Sequence, residues 1–466
     1  MRRILFLLAA TILGCQTCEV QVPPRVEQQV AAVASARVQP DLSTGIATPL
    51  CPVVDRPAAK LTSVDLPSFW NLALAHNPSL REAAADVEAA LGRRLQAAKY
   101  PNPHVAYSQE NVGTRPEPAG AVKIELTQEI LTGHKRSLDV AIAAEGLDEA
   151  SLALLGRKFE VLTRIRRAYY EYLGGLESVR VNAETVARLE QGYEITRKQV
   201  EEAKTRPRTD LLRIDAMLEE ARTRLAGSRL SLDAAWKQLT SEVGVPELSF
   251  PATPVDFPNH VPPWDPDEIV QRVQMVNTDL KRAALDVRRA GLEWERARAE
   301  AVPNLTVGGG YSRDFAENLQ GAILSVDTPL PLWDRKQGRI HEAEAHWTGA
   351  QAARRSTAAR LSRETAAAIA RYQVAREQVE RLSSRVVPRL EESVDLLRRG
   401  YQAGAAQTTF ADVLSADQAL YAARLTLAET RKALWLAIAD LQGLMQLDVD
   451  EEMNGPSEHP DSARHP

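Results

Sequence analysis

The sequence predicts a mostly helical fold with a small β part, built from two copies of one long unit. The second half of the chain repeats the first at an offset of about 200 residues, so that segment 77–80 returns as 277–280 and segment 210–215 as 412–417. The composition, 5% aromatic and 26% charged, is typical of long helices. Short alternating segments in each half predict strands. A repeat this long indicates a duplicated domain, with the order helix, two strands, very long helix, turn and returning helix.

The charge balance limits the classes of partner. The chain has 466 residues and a formal net charge of −5, and it contains no basic tract. Nucleic acid is therefore excluded as a partner.

The N-terminus predicts export and lipidation. Arg2 and Arg3 precede an apolar run, 4–13, that is too short to span a bilayer as a helix. The run ends at Gly14-Cys15, which resembles a bacterial lipoprotein signal, so we expect a signal peptide over 1–14 and a lipid on Cys15. An ordinary secretory peptide that contains a cysteine is the alternative. Gln16, where an aspartate would indicate inner-membrane retention, favours the outer membrane, and a single lipid calls for a second membrane element.

The remaining boundaries follow composition. We expect an extended linker over 15–61, the first repeat over 62–248, an inter-repeat linker over 249–265, the second repeat over 266–446 and a disordered tail over 447–466. Whether Cys18 and Cys51 pair stays open. His459 and His465 in the tail suggest weak metal capture at most, with a disordered tail as the alternative, and we predict no metal site, cofactor or catalytic residues.

Four helical segments are expected in the two repeats besides the returning helices. The first helix of each copy spans about 66–100 and 267–301, because a proline follows each. The very long helices span 135–204 and 336–403, and about 70 residues at 1.5 Å each would reach roughly 105 Å. Pro388 should kink the second of these.

Apolar seams run along the helices. In the first long helix, apolar residues step by 3 and 4 from Leu162 to Val186, and the returning helices share a seam at positions 202 apart. Arg164, Arg166 and Arg167 lie off the seam and are expected on a solvated face.

The strands predict a membrane barrel made by several copies. Segments 103–112 and 121–130 alternate apolar and polar residues, as do the segments around 305–312 and 322–327. A soluble half-buried hairpin is the alternative, but an isolated hairpin is marginal in water. Four strands cannot close a barrel, whereas a trimer supplies twelve, and strands of about ten residues fit an outer-membrane barrel.

Several motifs in this order resemble the TolC-type family of outer-membrane efflux channels over about 62–446. They are Asn77-Pro78-x-Leu80, Pro101-Asn102-Pro103, Pro303-Asn304-Leu305, the run Thr328 to Gly338 and Tyr401-x-x-Gly404 before Asp412-Val413-Leu414. The run Pro329-Leu330-Pro331-Leu332-Trp333-Asp334 is similar to the heavy-metal efflux branch. The resemblance implies a homotrimer whose 12-stranded β-barrel in outer-membrane lipid continues as a periplasmic α-helical coiled-coil barrel. It further implies a passive conduit that docks a periplasmic adaptor and an inner-membrane pump of the resistance-nodulation-division type.

The resemblance places the gate at the turns of the long hairpins. Asp412 corresponds to an acidic ring residue, and Asp210 and Tyr401 to latch residues, while simple N-capping by Asp210 and by the Thr409–Asp412 region is the compatible alternative. The chain departs from the family pattern at Ser415, where a second carboxylate is expected, and it lacks the latch arginine between Gly404 and Asp412.

The same turns are the expected adaptor contact. The candidate residues are Gly404, Phe410, Arg206, Pro207 and Arg208. Two other functions stay open: a periplasmic adaptor lipoprotein, which would have one hairpin flanked by β-domains, and a structural coiled-coil lipoprotein, which would lack the strands. The exported substrate, metal cations or drugs and metabolites, is not decided by these residues.

Overall fold

The structure is a computed structural model that describes residues 65–110, 112–113, 120–204, 207–250, 256–258, 260–315, 317–402 and 409–448. The predicted signal peptide, the linker cysteines and the histidines of the tail lie outside these residues. All described residues belong to one structural unit, 58–466.

The two repeats have the predicted order of elements. The first repeat consists of α1 (Leu66–His76), α2 (Pro78–Ala97), β1 (His104–Glu110), β2 (Ala121–Ile130), α3 (Lys135–Glu201) and α4 (Arg208–Val243). The second consists of α5 (Pro266–Val276), α6 (Thr278–Ala299), β3 (Leu305–Asp314), β4 (Leu319–Asp327), α7 (Gln337–Arg381), a π-helical turn (Leu382–Val386), α8 (Val387–Gln402) and α9 (Phe410–Met445). The mostly helical fold class and the duplication are confirmed.

Helix α3 is the longest element. Its 67 residues span about 100 Å at the rise of an α-helix. The returning helices α4 and α9 have 36 residues each, and they begin and end 202 positions apart. None of the helices within the described ranges has both the length and the apolar character that a bilayer crossing requires.

The prediction of one continuous first helix per repeat was wrong, because each is broken at an asparagine. Asn77 leaves the helical conformation, its side chain caps α2 by accepting a bond from Ser79 N (2.9 Å), and its Nδ2 donates to the carbonyl of Glu242 (2.7 Å). Asn277 does the same, capping α6 and donating to the carbonyl of Leu444 (3.4 Å). Glu242 and Leu444 are themselves 202 apart. Each break therefore serves as a tertiary tie between a short helix and the end of a returning helix.

The second long helix contains a π-helical turn directly before Pro388. A proline has no backbone N–H to donate, and the wider turn over Leu382–Val386 shifts the bonding pattern so that Val387 N donates to Leu382 O. Ser384 Oγ donates to the carbonyl of Glu380 (2.6 Å). The interruption of the long helix that was predicted at Pro388 is therefore a π-turn, after which the helix continues as α8.

The four strands form one antiparallel sheet in the order β1-β2-β3-β4. The central pairing joins the two repeats, from Ala121 opposite Asp314 to Ile130 opposite Leu305. Strand β1 is shorter than the predicted 103–112. One face carries large exposed apolar side chains, among them Leu324, which is 90% exposed, and Val105, which is 73% exposed.

The main core lies where α1 and α5 pack against the middles of the long helices, and we call this region the waist. Its buried aromatic residues are Phe69, Trp70, Tyr169, Tyr170, Tyr172, Trp236, Tyr372 and Trp435. The Phe69 ring lies 6.0 Å from the Tyr169 ring and 6.1 Å from the Trp236 ring. Burial raises the pKa of both Tyr169 and Tyr172 to about 12. The predicted seam through Leu162, Ile165, Tyr169 and Tyr172 is confirmed as core.

One charged residue predicted at the surface is buried in the waist. Arg166 is fully buried and its Nη2 donates to the carbonyl of Leu447 (3.0 Å). Arg167 is ion-paired with Asp440, and Arg164 with Glu242 (3.1 Å). The prediction of a solvated face was therefore wrong for Arg166, because the chain after α9 folds back over it.

Candidate functional site at the helix tips

The ends of α3 and α8 and the beginnings of α4 and α9 enclose a cavity of about 1130 Å³. We call this part of the molecule the tip region. Ile195, Ile214, Met217 and Val413 contribute apolar walls, and Gly192 lets α3 approach α4 closely, since a Cβ there would lie 2.9 Å from Ile214 Cδ1. Fewer apolar side chains are buried here than at the waist: Val186, Leu218 and Ala221 form a small cluster, and the cavity-lining residues Ile214, Val413 and Leu414 are also buried.

The predicted residues of the second turn lie beside this cavity. Tyr401 lies in the last turn of α8 and Phe410 begins α9, and their ring centroids are 6.3 Å apart. Both side chains line the cavity. Gly404 lies outside the described residues, as does Arg206 of the first turn.

Asp412 forms a capping box with Thr409. Thr409 Oγ1 accepts from Asp412 N (3.3 Å), and the Asp412 carboxylate accepts from Thr409 N (2.8 Å) and Thr409 Oγ1 (2.6 Å). The hydrogen bonds that the side chain and the backbone of Thr409 donate hold the pKa of Asp412 below its usual value. The capping that the sequence predicts for the Thr409 region is confirmed.

The first turn is built differently. Pro207 is the N-cap residue of α4, in an extended conformation and without a side-chain cap, and Arg208 is the first helical residue. Asp210 lies in the first turn of α4, and its backbone N donates to the carbonyl of Pro207 (3.2 Å). The expectation that Asp210 caps this helix is wrong, because proline occupies the N-cap position.

Arg424, which the sequence did not indicate, joins three helices near the cavity. Arg424 of α9 donates to Glu391 of α8 (2.5 Å) and to Glu184 of α3 (3.2 Å). On the same face of α9, Tyr421 OH donates to Asn182 Oδ1 of α3 (2.9 Å). These contacts connect the hairpin of one repeat to that of the other.

The duplication contains a pattern from which the role of Arg424 could have been predicted. The position 202 residues earlier is Arg222, which pairs with Glu190 of α3 (2.8 Å) as Arg424 pairs with Glu391. Arg424 differs in reaching the other repeat as well. Comparing charged positions between the repeats, in addition to apolar seams, would have indicated both arginines.

A second ion pair lies closer to the tip. Arg398 of α8 donates to both carboxylate oxygens of Asp417 in α9, at 2.8 and 3.0 Å. Nearby, burial and the positive charge of Arg424 lower the pKa of Arg188. Ion pairs therefore join the helices of the tip region in addition to its buried apolar side chains.

The sheet presents the other surface that bears on function. On its polar face, Lys123 pairs with Glu110 (2.8 Å), and Ser325 Oγ donates to Glu125 Oε1 (2.5 Å). Gly308 makes room for this bond, because a Cβ there would lie 2.2 Å from Ser325 Oγ. A sheet with one polar and one exposed apolar face suits a wall between water and lipid.

Within the described part of the chain, no group of three or more His, Cys, Asp or Glu side chains is arranged to hold a metal ion. Several charged residues of the tip region, among them Arg398 with Asp417 and Arg424 with Glu391, instead form opposite-sign pairs.

The chain matches the family model described as outer membrane efflux protein over residues 70–245 and 269–445, together more than half of its length. The two matched ranges coincide with the two structural repeats. A duplicated match of this kind agrees with a channel subunit and disfavours an adaptor with a single hairpin.

Individual relatives share this architecture. The cobalt-zinc-cadmium resistance protein CzcC of Cupriavidus metallidurans is 26% identical over 390 residues, which cover 81% of this chain and 88% of the relative. The structure of CusC superposes with a TM-score of 0.67 at 17% identity, covering 87% of this chain and 99% of that one. The open MtrE outer membrane channel of Neisseria gonorrhoeae superposes with a TM-score of 0.67 at 17% identity, covering 82% and 88%. With its two-faced sheet and paired long hairpins, the chain belongs to the outer membrane efflux protein family.

Proposed function

We propose that this protein is the outer-membrane channel of a tripartite efflux system and works as a homotrimer. The observation that carries the proposal is the sheet, which is apolar and exposed on one face, polar on the other, and continuous with two helical hairpins about 100 Å long. Such a subunit places a membrane wall and a periplasmic tube in one chain.

The edges of the sheet support assembly from several copies. Among the described strands, β1 and β4 each pair on one side only. An open sheet edge is not tolerated in the hydrocarbon region, so copies must pair edge to edge until the barrel closes. Three copies supply twelve strands, an even number within the range of outer-membrane barrels.

The tip region is the proposed gate and adaptor contact. Asp412, Asp210 and Tyr401 are the gate candidates, and three-fold symmetry would turn one Asp412 into a ring of three carboxylates that favours cations. The adaptor candidates are Phe410, Pro207 and Arg208, together with Gly404 and Arg206. The partners are a periplasmic adaptor and an inner-membrane pump of the resistance-nodulation-division type, and Cys15 supplies the lipid anchor.

We infer that the cargo is a transition-metal cation. The relative CzcC is named for cobalt, zinc and cadmium resistance. The polar face of the sheet also carries an excess of negative charge, with one lysine, Lys123, against the carboxylates Glu110, Glu125, Glu129, Asp314 and Asp327. An acidic lumen attracts cations and repels anions.

The test of the channel is biochemical and electrical. Outer-membrane fractions should contain a heat-modifiable trimer, and the purified trimer should conduct ions in planar bilayers. A monomer in the inner membrane would overturn the proposal.

The test of the gate uses Asp412. Asp412→Ala and Asp412→Asn should both weaken the block by multivalent cations, because both remove the ring charge. Only the asparagine keeps an acceptor for Thr409, so this pair of variants separates the charge from the capping box. Glu377→Ala, at an exposed position of α7, is the control. Unchanged block in both variants would remove Asp412 from the pore.

A further inference from the structure

The cavity in the tip region is bounded by both repeats of one chain. Its walls come from α3 and α4 of the first repeat and from α8 and α9 of the second. Its volume of about 1130 Å³ is slightly larger than the roughly 300–1,000 Å³ of typical small-molecule sites. A molecule inside it would therefore contact both hairpins.

One part of the cavity lining is apolar. Ile214, Val413 and Leu414 are buried, and Leu189 and Met217 are partly buried. Such a lining binds the apolar body of a ligand, because contact with it removes apolar surface from water. The lining alone does not select one apolar molecule over another.

The charged part of the lining contains one arginine more than it contains carboxylates. Among the described residues, three arginines and two carboxylates line the cavity. Arg224 pairs with Glu220 one turn away in α4, and Arg398 donates to both oxygens of Asp417 (2.8 and 3.0 Å). Arg188 of α3 is the lining arginine that remains.

The contacts of Arg188 are long. Its Nη2 lies 3.8 Å from the Glu184 carboxylate, which Arg424 approaches more closely, at 3.2 Å. Its Nε donates to the backbone carbonyl of Glu184 at 3.5 Å. A guanidinium has five N–H donors in a planar fork, so Arg188 keeps donors for an acceptor that binds with two oxygens.

The electrostatic surroundings of Arg188 also favour an added anion. Burial and the positive charges of Arg424 and Arg398 lower the pKa of Arg188, and the carboxylates of Asp417 and Glu184 offset only part of this effect. A negative group beside Arg188 would compensate for the lost solvent and for the neighbouring arginines.

We infer that the tip cavity binds a small amphipathic anion. Its carboxylate, or a head group of similar shape, accepts two hydrogen bonds from Arg188, and its apolar body packs against Ile214, Met217 and Val413. An inorganic anion would leave the apolar walls unused, and an uncharged molecule would leave Arg188 without its acceptor. The inference goes beyond the proposed channel function, since it needs only the two hairpins of one chain.

A ligand at this position would hold the hairpins of the two repeats together. It binds only the arrangement in which α3, α4, α8 and α9 enclose the cavity, so it stabilises that arrangement by mass action. At a concentration ten times its dissociation constant, hydrogen exchange that requires opening of the cavity should slow roughly tenfold. Exchange at the waist should not change.

Calorimetric titration of the full-length protein in an uncharged detergent tests the site. The probes are naphthoate and naphthamide, which share a ring system and differ in charge, and a titration into detergent alone is subtracted from each. Naphthoate should bind at one site per chain. Naphthamide should bind at least about tenfold more weakly, because it lacks the charged hydrogen bonds to Arg188.

A matched pair of variants in α3 assigns the charge recognition. Arg188→Gln should weaken the binding of naphthoate roughly tenfold and leave naphthamide unchanged. Arg197→Gln is the control, because Arg197 does not line the cavity and pairs with Glu194 of its own helix (2.8 Å). It should leave the binding of both probes unchanged.

A variant of the apolar wall gives an independent measurement. Met217→Ala removes apolar contact without changing charge, so it should weaken naphthoate and naphthamide alike, roughly threefold. This variant keeps the test decisive even if Arg188→Gln does not fold.

Three results would overturn the inference. They are naphthoate binding no more tightly than naphthamide, naphthoate binding that neither Arg188→Gln nor Met217→Ala weakens, and the lack of any saturable binding. Each of these leaves the channel proposal standing, because binding is measured without conduction. Conversely, a purified protein that binds naphthoate through Arg188 but forms no trimer would keep this inference and overturn the channel.

Discussion

The waist and the tip region are built from the same four long helical segments, yet they are held together by different interactions. At the waist, α1 and α5 add a third layer, and aromatic rings such as Phe69 and Trp236 are fully or almost fully buried. In the tip region the long helices enclose a cavity, and ion pairs such as Arg424 with Glu184 join them. In the proposed channel, a tube that opens at the tip needs a rigid collar and a less densely packed end, and apolar burial at the waist and ion pairing around the tip cavity fit these two needs.

The largest effect is expected from a cavity at the waist. Phe69 is completely buried and contacts the rings of Tyr169 and Trp236, so Phe69→Ala should destabilise the protein by about 3–5 kcal/mol. Thermal unfolding followed by circular dichroism measures the loss. Ile195→Ala in the tip region is the control, because its side chain is 59% exposed and its loss should stay within about 0.5 kcal/mol. Equal losses would remove the distinction between the two regions.

The asparagine ties of the waist offer a matched pair of smaller changes. Asn77→Ala removes a helix cap and the bond to Glu242 O, which together should cost about 1–2 kcal/mol. Asn277→Ala removes the equivalent bonds, but its bond to Leu444 O is 3.4 Å long against 2.7 Å, so the loss should be smaller. Thermal unfolding of both variants checks the order. A larger loss for Asn277→Ala would show that bond length does not decide the contribution of the tie.

These asparagines also show where sequence reasoning stops. The apolar period of the short helices continues across Asn77, so periodicity alone predicts one helix, while the break is stabilised by a bond to a carbonyl 165 residues away. Arg166 was assigned to a solvated face for the same reason, since its partner, Leu447 O, is 281 residues away. The long helices, the strands and the offset between the two repeats are local or repeated patterns, and they were predictable. Partners distant in sequence were not.

The tip site was predictable to a similar extent. The capping box at Thr409 is a local signature that spans four residues, Thr409 to Asp412, and the sequence indicated capping there. The bridge made by Arg424 joins the two repeats. Apolar seam positions such as Leu420 and Leu427 indicate which face of the helix is buried, but they do not indicate which charged residues beside them form ion pairs.

An intermediate effect confined to the tip region is expected from Arg424→Ala. The change leaves Glu184 and Glu391 without their shared cation, and because these side chains are partly exposed, the local cost should be about 1 kcal/mol. Hydrogen exchange should accelerate by roughly fivefold in α8 and the end of α3, with no change at the waist. Arg381→Ala, an exposed arginine paired only one turn away with Glu377, is the control. Acceleration that extends to the waist would show that the two regions do not open independently.

The smallest effect concerns the capping box and its dependence on pH. Hydrogen bonds from Thr409 hold the pKa of Asp412 below its usual value, so the stability that this carboxylate adds to the start of α9 is present above about pH 4 and is lost as the pH falls through the lower folded value. Asp412→Asn should therefore speed exchange of amides 412–415, relative to their intrinsic rates, at pH 7, and this acceleration should shrink as the pH falls below about 4. Asp210 is the matched position in the other repeat, and because Pro207 leaves α4 without a side-chain cap, Asp210→Asn should accelerate exchange at pH 7 less than Asp412→Asn does. Equal acceleration at both turns at pH 7 would mean that the charge acts on the helix end alone and that the capping box adds nothing, since both carboxylates lie in a first helical turn.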